Sequence, residues 1–292
     1  LGSDTNGSIR VPSSLCGIYG LKPTYGRLSR NGSFLFVASL DHLGPFARSV
    51  TDLATMFDVM QGPDPNDPAC TSRPAEPVSG GLDRGIQGLR IALAGEHFAH
   101  GMQPEVAAGL EKVAKALQIS ETVTIPEAAR ARAAAFIITA CEGSQLHIHR
   151  LRSRPMDFDV ATRDRFLAGA LIPNGWYLQA QRFRRWYRDR VRHLFESVDV
   201  ILAPTTPCVA PPLDQATLEL DGQTVPLRPN LGIYTQPLSF IGLPIVSVPV
   251  HQPGKLPIGV QIIGAPYQEA KVLRVAAYLE KQGVTTAPIA AQ

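Results

Sequence analysis

The chain begins with a stretch rich in glycine and serine, Leu1–Arg27, which reads LGSDTNGSIRVPSSLCGIYGLKPTYGR. Small residues allow the backbone to approach a ligand closely, and Gly7 has access to unusual dihedral angles. Successive backbone N–H groups in such a turn can form an anion-binding nest. Ser8 follows directly, so its attack on a carbonyl would create an oxyanion beside those N–H groups. On composition alone, a plain structural turn in which Asp4 pairs with Arg10 explains the same residues.

The overall composition is that of a folded globular protein. Of the 292 residues, 45% are hydrophobic and 18% are charged, which excludes an intrinsically disordered chain. No apolar run approaches the roughly 18 residues of a membrane-spanning helix, and the net charge of +3 is too small to indicate nucleic-acid binding. The four cysteines are widely spaced, so we expect reduced thiols rather than a disulfide scaffold or a zinc site.

Hydrophobic periodicity predicts interspersed helices and strands. A helix over 49–60 places its apolar residues on one face, namely Leu53, Met56, Phe57 and Met60. Similar patterns predict helices over 104–117, 126–151, 176–197 and 268–281, and apolar runs predict strands over 89–95, 198–203, 245–250 and 258–263. Wholly apolar strands among helices favour an α/β fold with a sheet covered on both faces. We expect a single domain over residues 1–292.

Two clusters of ionisable residues have simpler explanations than a binding site. His147 and His149 do not share a helix face, so we expect ordinary semi-buried side chains rather than metal ligands. Six arginines crowd one short segment, namely Arg182, Arg184, Arg185, Arg188, Arg190 and Arg192. We interpret them as a solvent-exposed helix face paired with local carboxylates, with a nucleic-acid-binding helix as the alternative. We predict no metal and no cofactor.

Several motifs together resemble the core of the amidase signature family. The family pattern is close to G-[ST]-D-T-G-G-S-I-R-x-P-A followed by C-G-x-x-G-L-K-P-T-Y-G-R, which Gly2–Pro12 and Cys16–Arg27 match with few changes. The resemblance continues through SLDHLGP at 39–45, DVILAPTTP at 199–207, GLP at 242–244 and LPIGVQ at 256–261. It implies the amidase-signature fold, a mixed β-sheet covered on both faces by helices. This chain would hold about the C-terminal two thirds of that domain and lack its N-terminal part.

The resemblance also implies a mechanism. The family hydrolyses amides through a Ser–cis-Ser–Lys triad, and Ser8 matches the nucleophile that forms an acyl-enzyme and releases ammonia or an amine. Asp4 and Arg10 match positions that hold the loop in shape. Three backbone N–H groups would form the oxyanion hole, those of Thr5, Asn6 and Gly7. Amides that precede the serine in this way can face the developing negative charge without reorganising.

Two departures from the family pattern affect the site. Asn6 stands where the family usually has glycine, so its side chain is expected to narrow the pocket or to touch the substrate. The family's catalytic lysine and bridging cis-serine precede the serine motif and have no counterpart in these 292 residues. Because the sequence begins inside a motif, we expect residues upstream of Leu1 to supply them. Lys22 is not a substitute, since it matches the structural G-L-K-P-T turn.

A substrate-binding arginine can be placed by the same resemblance. In the family's glutamine-using A subunits, an arginine in an R-R-I-x-L-G segment binds the substrate carboxylate. The matching segment is RDRFLAG at 163–169, which indicates Arg165. A guanidinium suits bidentate carboxylate recognition, and a surface salt bridge is the alternative.

Two other features of those A subunits are not matched. The acidic residue that holds the glutamine α-amino group has no counterpart in PNLGIY at 229–234. Ala135 or Phe136 occupies the place of their tyrosine. Together these differences indicate a substrate that carries a carboxylate and no α-amino group.

These features predict an amidohydrolase that cleaves the C–N bond of a small carboxylated urea-like amide, such as 1-carboxybiuret, with release of ammonia. The motifs are most similar to the family branch that acts in cyanuric acid and s-triazine degradation. Two alternatives remain open, the glutaminase (A) component of a tRNA-dependent amidotransferase and a non-catalytic amidase-like scaffold. We expect a cytoplasmic homo-oligomer and a small partner subunit resembling the amidotransferase C subunit. We expect neither membrane nor nucleic acid as a partner.

Overall fold

A computed structural model describes residues 1–289 of the chain. The strands are β1 (Gly2–Asp4), β2 (Tyr19–Lys22), β3 (His42–Gly44), β4 (Phe46–Ala47), β5 (Ile91–Ala94), β6 (Thr122–Val123), β7 (Val200–Pro204), β8 (Thr217–Leu220), β9 (Gln223–Pro226), β10 (Ile245–Val250) and β11 (Ile258–Gly264). The helices are α1 (Arg10–Cys16), α2 (Val50–Met60), α3 (Pro104–Ala116), α4 (Ala128–Ser153), α5 (Val160–Gly169), α6 (Asn174–Ser197), α7 (Leu227–Asn230), α8 (Gln236–Ser239) and α9 (Glu269–Lys281).

Seven strands form one mixed sheet in the order β4-β2-β10-β11-β7-β5-β6. Neighbours from β4 to β7 pair antiparallel, whereas β5 pairs parallel with both β7 and β6. The central strands β10 and β11 run side by side from Ile245 opposite Ile263 to Val250 opposite Ile258. Every residue of both strands is buried, which is the pattern of a sheet shielded on both faces.

Successive residues of the central strands point into two different hydrophobic cores. Val246 and Ile262 pack into a core that also includes residues of α2, α3 and α9. Ile245 and Ile263 pack into a second core that includes residues of α4 and α6. Side chains alternate between the faces of a strand, so helices cover both sides of the sheet. This confirms the predicted α/β fold with a mixed sheet covered on both faces by helices.

The predicted helices and strands form, with ends that shift by a few residues. The Ser49 hydroxyl accepts a hydrogen bond from the Asp52 N–H at 3.0 Å and caps α2, which satisfies one of the free donors at a helix start. The β8–β9 hairpin is absent from the sequence predictions. Its turn contains Asp221 and Gly222, both with positive φ, and an Asp-Gly pair between short strands is a hairpin signal that could have located it.

Several other expectations concern individual side chains. The four cysteines are free thiols. Among residues 1–289, no helix combines the length and apolarity that crossing a bilayer requires, and no group of three or more His, Cys, Asp or Glu side chains could hold a metal ion. His147 is buried, with its ring stacked on Phe34 at 5.3 Å and on Phe166 at 5.4 Å. It therefore packs as an aromatic core residue.

Candidate active site

Ser8 lies in the loop between β1 and α1, beside a cavity of about 550 Å³. Its side chain is exposed. The cavity walls come from distant parts of the chain: the 1–8 segment and helices α4, α5, α7 and α8 all contribute. Ser3, Thr5, Asn6 and Ser8 form the wall contributed by the N-terminal segment. An exposed hydroxyl in a polar cleft is accessible for attack on a bound carbonyl.

A buried ion pair holds the loop that carries Ser8. The Arg10 guanidinium forms two hydrogen bonds with the Asp4 carboxylate, at 3.0 and 3.1 Å, and neither side chain is exposed. Burial alone raises the pKa of Asp4, but the charge and hydrogen bonds of Arg10 outweigh it and hold the pKa well below its usual value. Asp4 is therefore a permanent carboxylate, which agrees with the structural role implied by the resemblance.

Arg10 also connects the loop to residues more than 200 positions further along the chain. Arg10 donates to the Thr235 carbonyl oxygen at 3.0 Å and to Gln261 Oε1 at 2.8 Å. It also donates to the hydroxyl of Ser239. A guanidinium offers five N–H donors in a fixed plane, so one side chain can join three segments. Thr235, Ser239 and Gln261 support the site, and sequence reasoning did not identify them.

One predicted donor of the oxyanion hole is engaged within the loop. The Gly7 N–H donates to Asp4 Oδ1 at 2.7 Å, and Gly7 does not line the cavity. A contribution of the Gly7 N–H to the oxyanion hole stays a prediction. Thr5 and Asn6, the other two predicted positions, do line the cavity.

Gly7 has a backbone role instead. Its φ is +139°, and a Cβ atom at this position would lie 2.3 Å from Thr235 Oγ1. Both the dihedral angle and the close approach exclude any larger residue without local rearrangement. Thr235 in turn donates to the Asn6 carbonyl oxygen at 2.7 Å. Glycine at this position thus lets the loop pack directly on the segment before α8.

Asn6 takes part in both the loop and the cavity. Its Nδ2 donates to Thr139 Oγ1 of α4 at 3.0 Å, which joins the loop to that helix. Its Oδ1 is buried and accepts no hydrogen bond within residues 1–289. A half-buried side chain on the wall narrows the cavity, as expected when asparagine replaces glycine.

Asp41 and His42 also support the loop, through hydrogen bonds to Thr5 and to the backbone of Asp4. Asp41 accepts a hydrogen bond from the Thr5 hydroxyl at 2.6 Å and from the backbone N–H of Val37 at 2.9 Å. His42 Nδ1 lies 3.1 Å from the Asp4 carbonyl oxygen, so this nitrogen is the donor. Burial lowers the pKa of His42 well below its usual value, which keeps the ring neutral. Their position in the SLDHLGP motif was the available signal.

Arg165 lies in the same cavity as Ser8 and has no carboxylate partner within residues 1–289. Its guanidinium is half-buried over the ring of Phe36, 5.6 Å from the ring centre. Burial and the nearby charge of Arg228 lower the pKa of Arg165, and the more weakly acting charge of Asp159 opposes them. By contrast, Arg163 pairs with Asp164 and Arg228 pairs with Asp159, each at 3.0 Å. Arg165 thus does not form the surface salt bridge that was the alternative explanation.

A third arginine, Arg132, is hydrogen-bonded to residues of the cavity wall. Its Nε donates to Gln236 Oε1 at 2.6 Å, and its Nη2 donates to the Pro229 carbonyl oxygen and to Asn230 Oδ1, both at 2.9 Å. Gln236 and Pro229 line the cavity, whereas Arg132 does not. Arg132 therefore holds this part of the wall in place.

Lys22 lies away from the cavity wall and is completely buried. Its ammonium donates to the carbonyl oxygens of Pro23, at 3.2 Å, and of Leu243. Burial, reinforced by the charge of Arg10, lowers the pKa of Lys22 to about 7. Lys22 is thus bound to two backbone carbonyls of the fold and not to Ser8.

We expect Lys22 to make stability rise with pH. Its pKa is depressed in the folded state, so the unfolded chain binds more protons between pH 7 and about 10, and the free energy of unfolding increases over that interval. Replacing Lys22 with methionine should remove up to about 1.4 kcal/mol per pH unit from that slope. Urea unfolding at pH 7, 8 and 9 measures the slope. Lys115→Met, at an exposed site, is the control, and equal slopes for Lys22→Met and wild type would contradict the assignment.

The arginine-rich segment differs from its prediction. Arg184 is half-buried and donates to the Phe240 carbonyl oxygen at 2.6 Å and to the Ser39 carbonyl oxygen at 2.8 Å. The prediction of a solvent-exposed helix face paired with local carboxylates is therefore wrong for Arg184. Helical periodicity cannot show it, because the loops that accept these hydrogen bonds come from residues far away in the sequence.

Comparison with known proteins agrees with this fold and loop. A family model described as Amidase matches residues 1–273. The chain therefore belongs to the amidase signature family. It is 50% identical over 287 residues to the AtzE subunit of the 1-carboxybiuret hydrolase of Pseudomonas sp. (strain ADP), a match that covers 97% of this chain and 63% of that protein. It is 37% identical to the A subunit of the glutamyl-tRNA(Gln) amidotransferase of Roseiflexus sp. (strain RS-1), a match that covers 94% of this chain and 61% of that protein.

Solved structures show the same relationships. The fold is similar to a structure described as "An unexpected vestigial protein complex reveals the evolutionary origins of an s-triazine catabolic enzyme", with a TM-score of 0.96 and 49% identity over 99% of this chain and 64% of that chain. It is also similar to the A subunit of the glutamyl-tRNA(Gln) amidotransferase from Thermotoga maritima, with a TM-score of 0.80 and 32% identity over 96% of this chain and 61% of that chain. The chain spans less than two thirds of the length of these relatives.

Proposed function

We propose that the protein is an amidohydrolase that releases ammonia from a small carboxylated urea-like amide of the 1-carboxybiuret type, with Ser8 as nucleophile. The observation that carries the proposal is the half-buried guanidinium of Arg165, which forms no ion pair within residues 1–289, in the cavity that Ser8 borders. The 50% identity to a protein named as part of a 1-carboxybiuret hydrolase supports the choice of substrate.

The proposed reaction has two steps at the terminal amide carbon. The Ser8 oxygen attacks the carbonyl, a C–O bond forms, and the C–N bond breaks with release of ammonia, which takes up the proton lost by the hydroxyl. Water then cleaves the acyl-enzyme to give a carboxylate product and free Ser8. The backbone N–H groups of Thr5 and Asn6 are proposed to stabilise the oxyanion. The family's lysine and cis-serine are proposed to carry the proton, so the tests use a chain that includes the segment upstream of Leu1.

The carboxylate end of the substrate is proposed to bind Arg165. Arg165 and Ser8 lie on different walls of one cavity of about 550 Å³, which leaves room for a short linear amide between them. Arg228 also lines this cavity, but its charge is paired with Asp159 at 3.0 and 3.2 Å. Bidentate contact between a guanidinium and a carboxylate would fix the orientation of the substrate.

A partner subunit is part of the proposal. The similar structure with a TM-score of 0.96 is described as a protein complex. We therefore propose that this protein also works with a small second subunit, of the kind that resembles the amidotransferase C subunit.

The function is tested by measuring ammonia release from 1-carboxybiuret, biuret, allophanate, glutamine and acetamide. We expect kcat/KM for 1-carboxybiuret to exceed that for biuret at least about 10-fold, because only the former offers a carboxylate to a guanidinium. Turnover of glutamine in preference to the other amides would identify the glutaminase component of an amidotransferase instead. No turnover of any of them would favour the non-catalytic scaffold.

Replacing Arg165 with alanine should raise KM for 1-carboxybiuret roughly 10- to 100-fold, the usual cost of a lost hydrogen bond to a charged group. The KM for biuret should change little, because biuret has no carboxylate. Arg163→Ala is the matched control: it lies two residues away, and Asp164 already neutralises it. Unchanged kinetics on 1-carboxybiuret for Arg165→Ala would exclude the proposed carboxylate contact.

A further inference from the structure

A second basic groove lies along α6 and shares no lining residue with the cavity beside Ser8. It has a volume of about 460 Å³. The opposite wall consists of residues 24–25, 241–242 and 266–267. We call it the arginine groove, after the guanidinium groups that line it: Arg184, Arg185, Arg188 and Arg192.

Helix geometry explains why these four arginines share the groove. Residues three and four apart lie on one face of a helix, and Arg184, Arg188 and Arg192 follow that spacing. The neighbouring Arg182 and Arg190 do not line the groove. Arg190 instead stacks on Trp186, 5.7 Å from the ring centre. One helix therefore carries both the groove residues and matched arginines outside it.

The arginines of the groove differ in how many of their N–H groups are hydrogen-bonded. Arg184 is anchored by three hydrogen bonds to Ser39 and Phe240, which form a rigid inner wall. Arg188 Nε is buried and has no hydrogen-bond partner within residues 1–289. Buried polar groups are nearly always hydrogen-bonded in native proteins. The nearest carboxylate oxygen, Asp189 Oδ1, is 3.6 Å from Arg188 Nε and outside hydrogen-bond distance, so Arg188 keeps donor capacity for a further acceptor.

The charges around the groove also favour an anionic ligand. Asp189 is 3.6 Å from Arg188 Nε, Glu142 accepts a hydrogen bond from Ser39 behind Arg184, and Glu269 accepts one from the Thr24 N–H. None of these carboxylates lines the groove, whereas four guanidinium groups do. Burial lowers the pKa of Arg184, and the charge of Glu142 opposes this effect. The lining of the groove is therefore cationic, which favours an anionic ligand.

We propose that the arginine groove is a binding site for a small oxyanion with at least two negative charges, such as phosphate or a polycarboxylate. Planar guanidinium groups match the oxygen geometry of both. The enclosing loops leave space for a molecule of this size, and the low net charge of the chain gives no wider basic surface for nucleic acid. The site is independent of the proposed amidase activity.

The test is calorimetric titration of the chain that includes its upstream segment with inorganic phosphate and with citrate, at constant ionic strength. We expect saturable binding of at least one of them at a 1:1 ratio. Arg188→Gln and Arg192→Gln should each weaken that binding at least about 10-fold, whereas Arg182→Gln and Arg190→Gln should change it less than about 2-fold. Arg165→Ala should bind as wild type does.

The two anions distinguish the source of the ligand, since preference for phosphate indicates a phosphorylated metabolite and preference for citrate a carboxylic acid. Three results would overturn the proposal. Absence of saturable binding would show that the groove is covered or inert in the longer chain. Equal losses in the groove and control variants would show non-specific attraction. Tighter, Arg188-dependent binding of RNA would assign the groove to nucleic acid instead.

Discussion

Replacing Ser8 with alanine should lower kcat for ammonia release by roughly 10⁴- to 10⁶-fold, the range seen when a serine hydrolase loses its nucleophile. The hydroxyl borders the cavity beside Thr5 and Asn6 and is exposed, and alanine offers no atom to form the acyl-enzyme. KM should change little, because the proposed carboxylate contact with Arg165 remains. Initial rates on 1-carboxybiuret, with ammonia measured by a coupled assay, give both constants.

Ser3→Ala is the matched control for this experiment. Ser3 lines the same cavity and is also exposed. It lies in β1 rather than in the loop before α1, and it has no proposed chemical role. We expect its kcat to stay within a few-fold of wild type. If Ser8→Ala retains more than a tenth of the wild-type rate, the nucleophile lies elsewhere and the mechanism is wrong.

The largest stability effect is expected from Arg10→Met. This change leaves the buried Asp4 carboxylate without its cation, and breaking a buried ion pair from one side typically costs about 3–5 kcal/mol. Arg10 also donates to the Thr235 carbonyl oxygen and Gln261 Oε1, so two further acceptors lose a partner. Urea unfolding followed by circular dichroism measures the free energy of unfolding.

An exposed ion pair provides the comparison. Lys115 and Glu111 lie 2.7 Å apart on the surface of α3, and exposed pairs contribute about 0–1 kcal/mol. Glu111→Gln should therefore unfold almost as wild type does. The double variant Asp4→Asn/Arg10→Met should recover part of the loss, because it removes the unpaired charge. A loss below about 1 kcal/mol in Arg10→Met would show that the pair does not hold the loop.

The support of the loop illustrates how far sequence reasoning reaches. Asp4 and Arg10 are six residues apart in one motif, and their pairing could be anticipated from that motif. Gly7 was assigned to the oxyanion hole because its N–H belongs to the same run of amides. The order of the residues does not show in which direction each backbone N–H points. In the structure, the Gly7 N–H donates to the Asp4 carboxylate at 2.7 Å. Local sequence thus identified the loop but not the direction of each donor.

Arg165 and Arg184 both show that the sequence alone does not give the partners of a side chain. A motif locates Arg165, but only the structure shows that Asp159 and Asp164 form ion pairs with its neighbours and that Arg165 forms none in the described part of the chain. The pattern of α6 predicts a solvent-exposed Arg184. It is half-buried because Ser39 and Phe240, 145 and 56 residues away, accept its hydrogen bonds.

The sequence by itself determined the features that depend on neighbouring residues: the apolar strands, the amphipathic helices, and the glycine- and serine-rich loop around Ser8. These follow from hydrophobic periodicity and local hydrogen bonding, which act over a few residues. The tertiary structure decided which distant groups meet, such as Arg10 with Gln261, and Arg165 with Ser8 in one cavity. The physical reason is that such contacts depend on strand order and helix packing across the whole sheet, which bring residues from distant parts of the chain together.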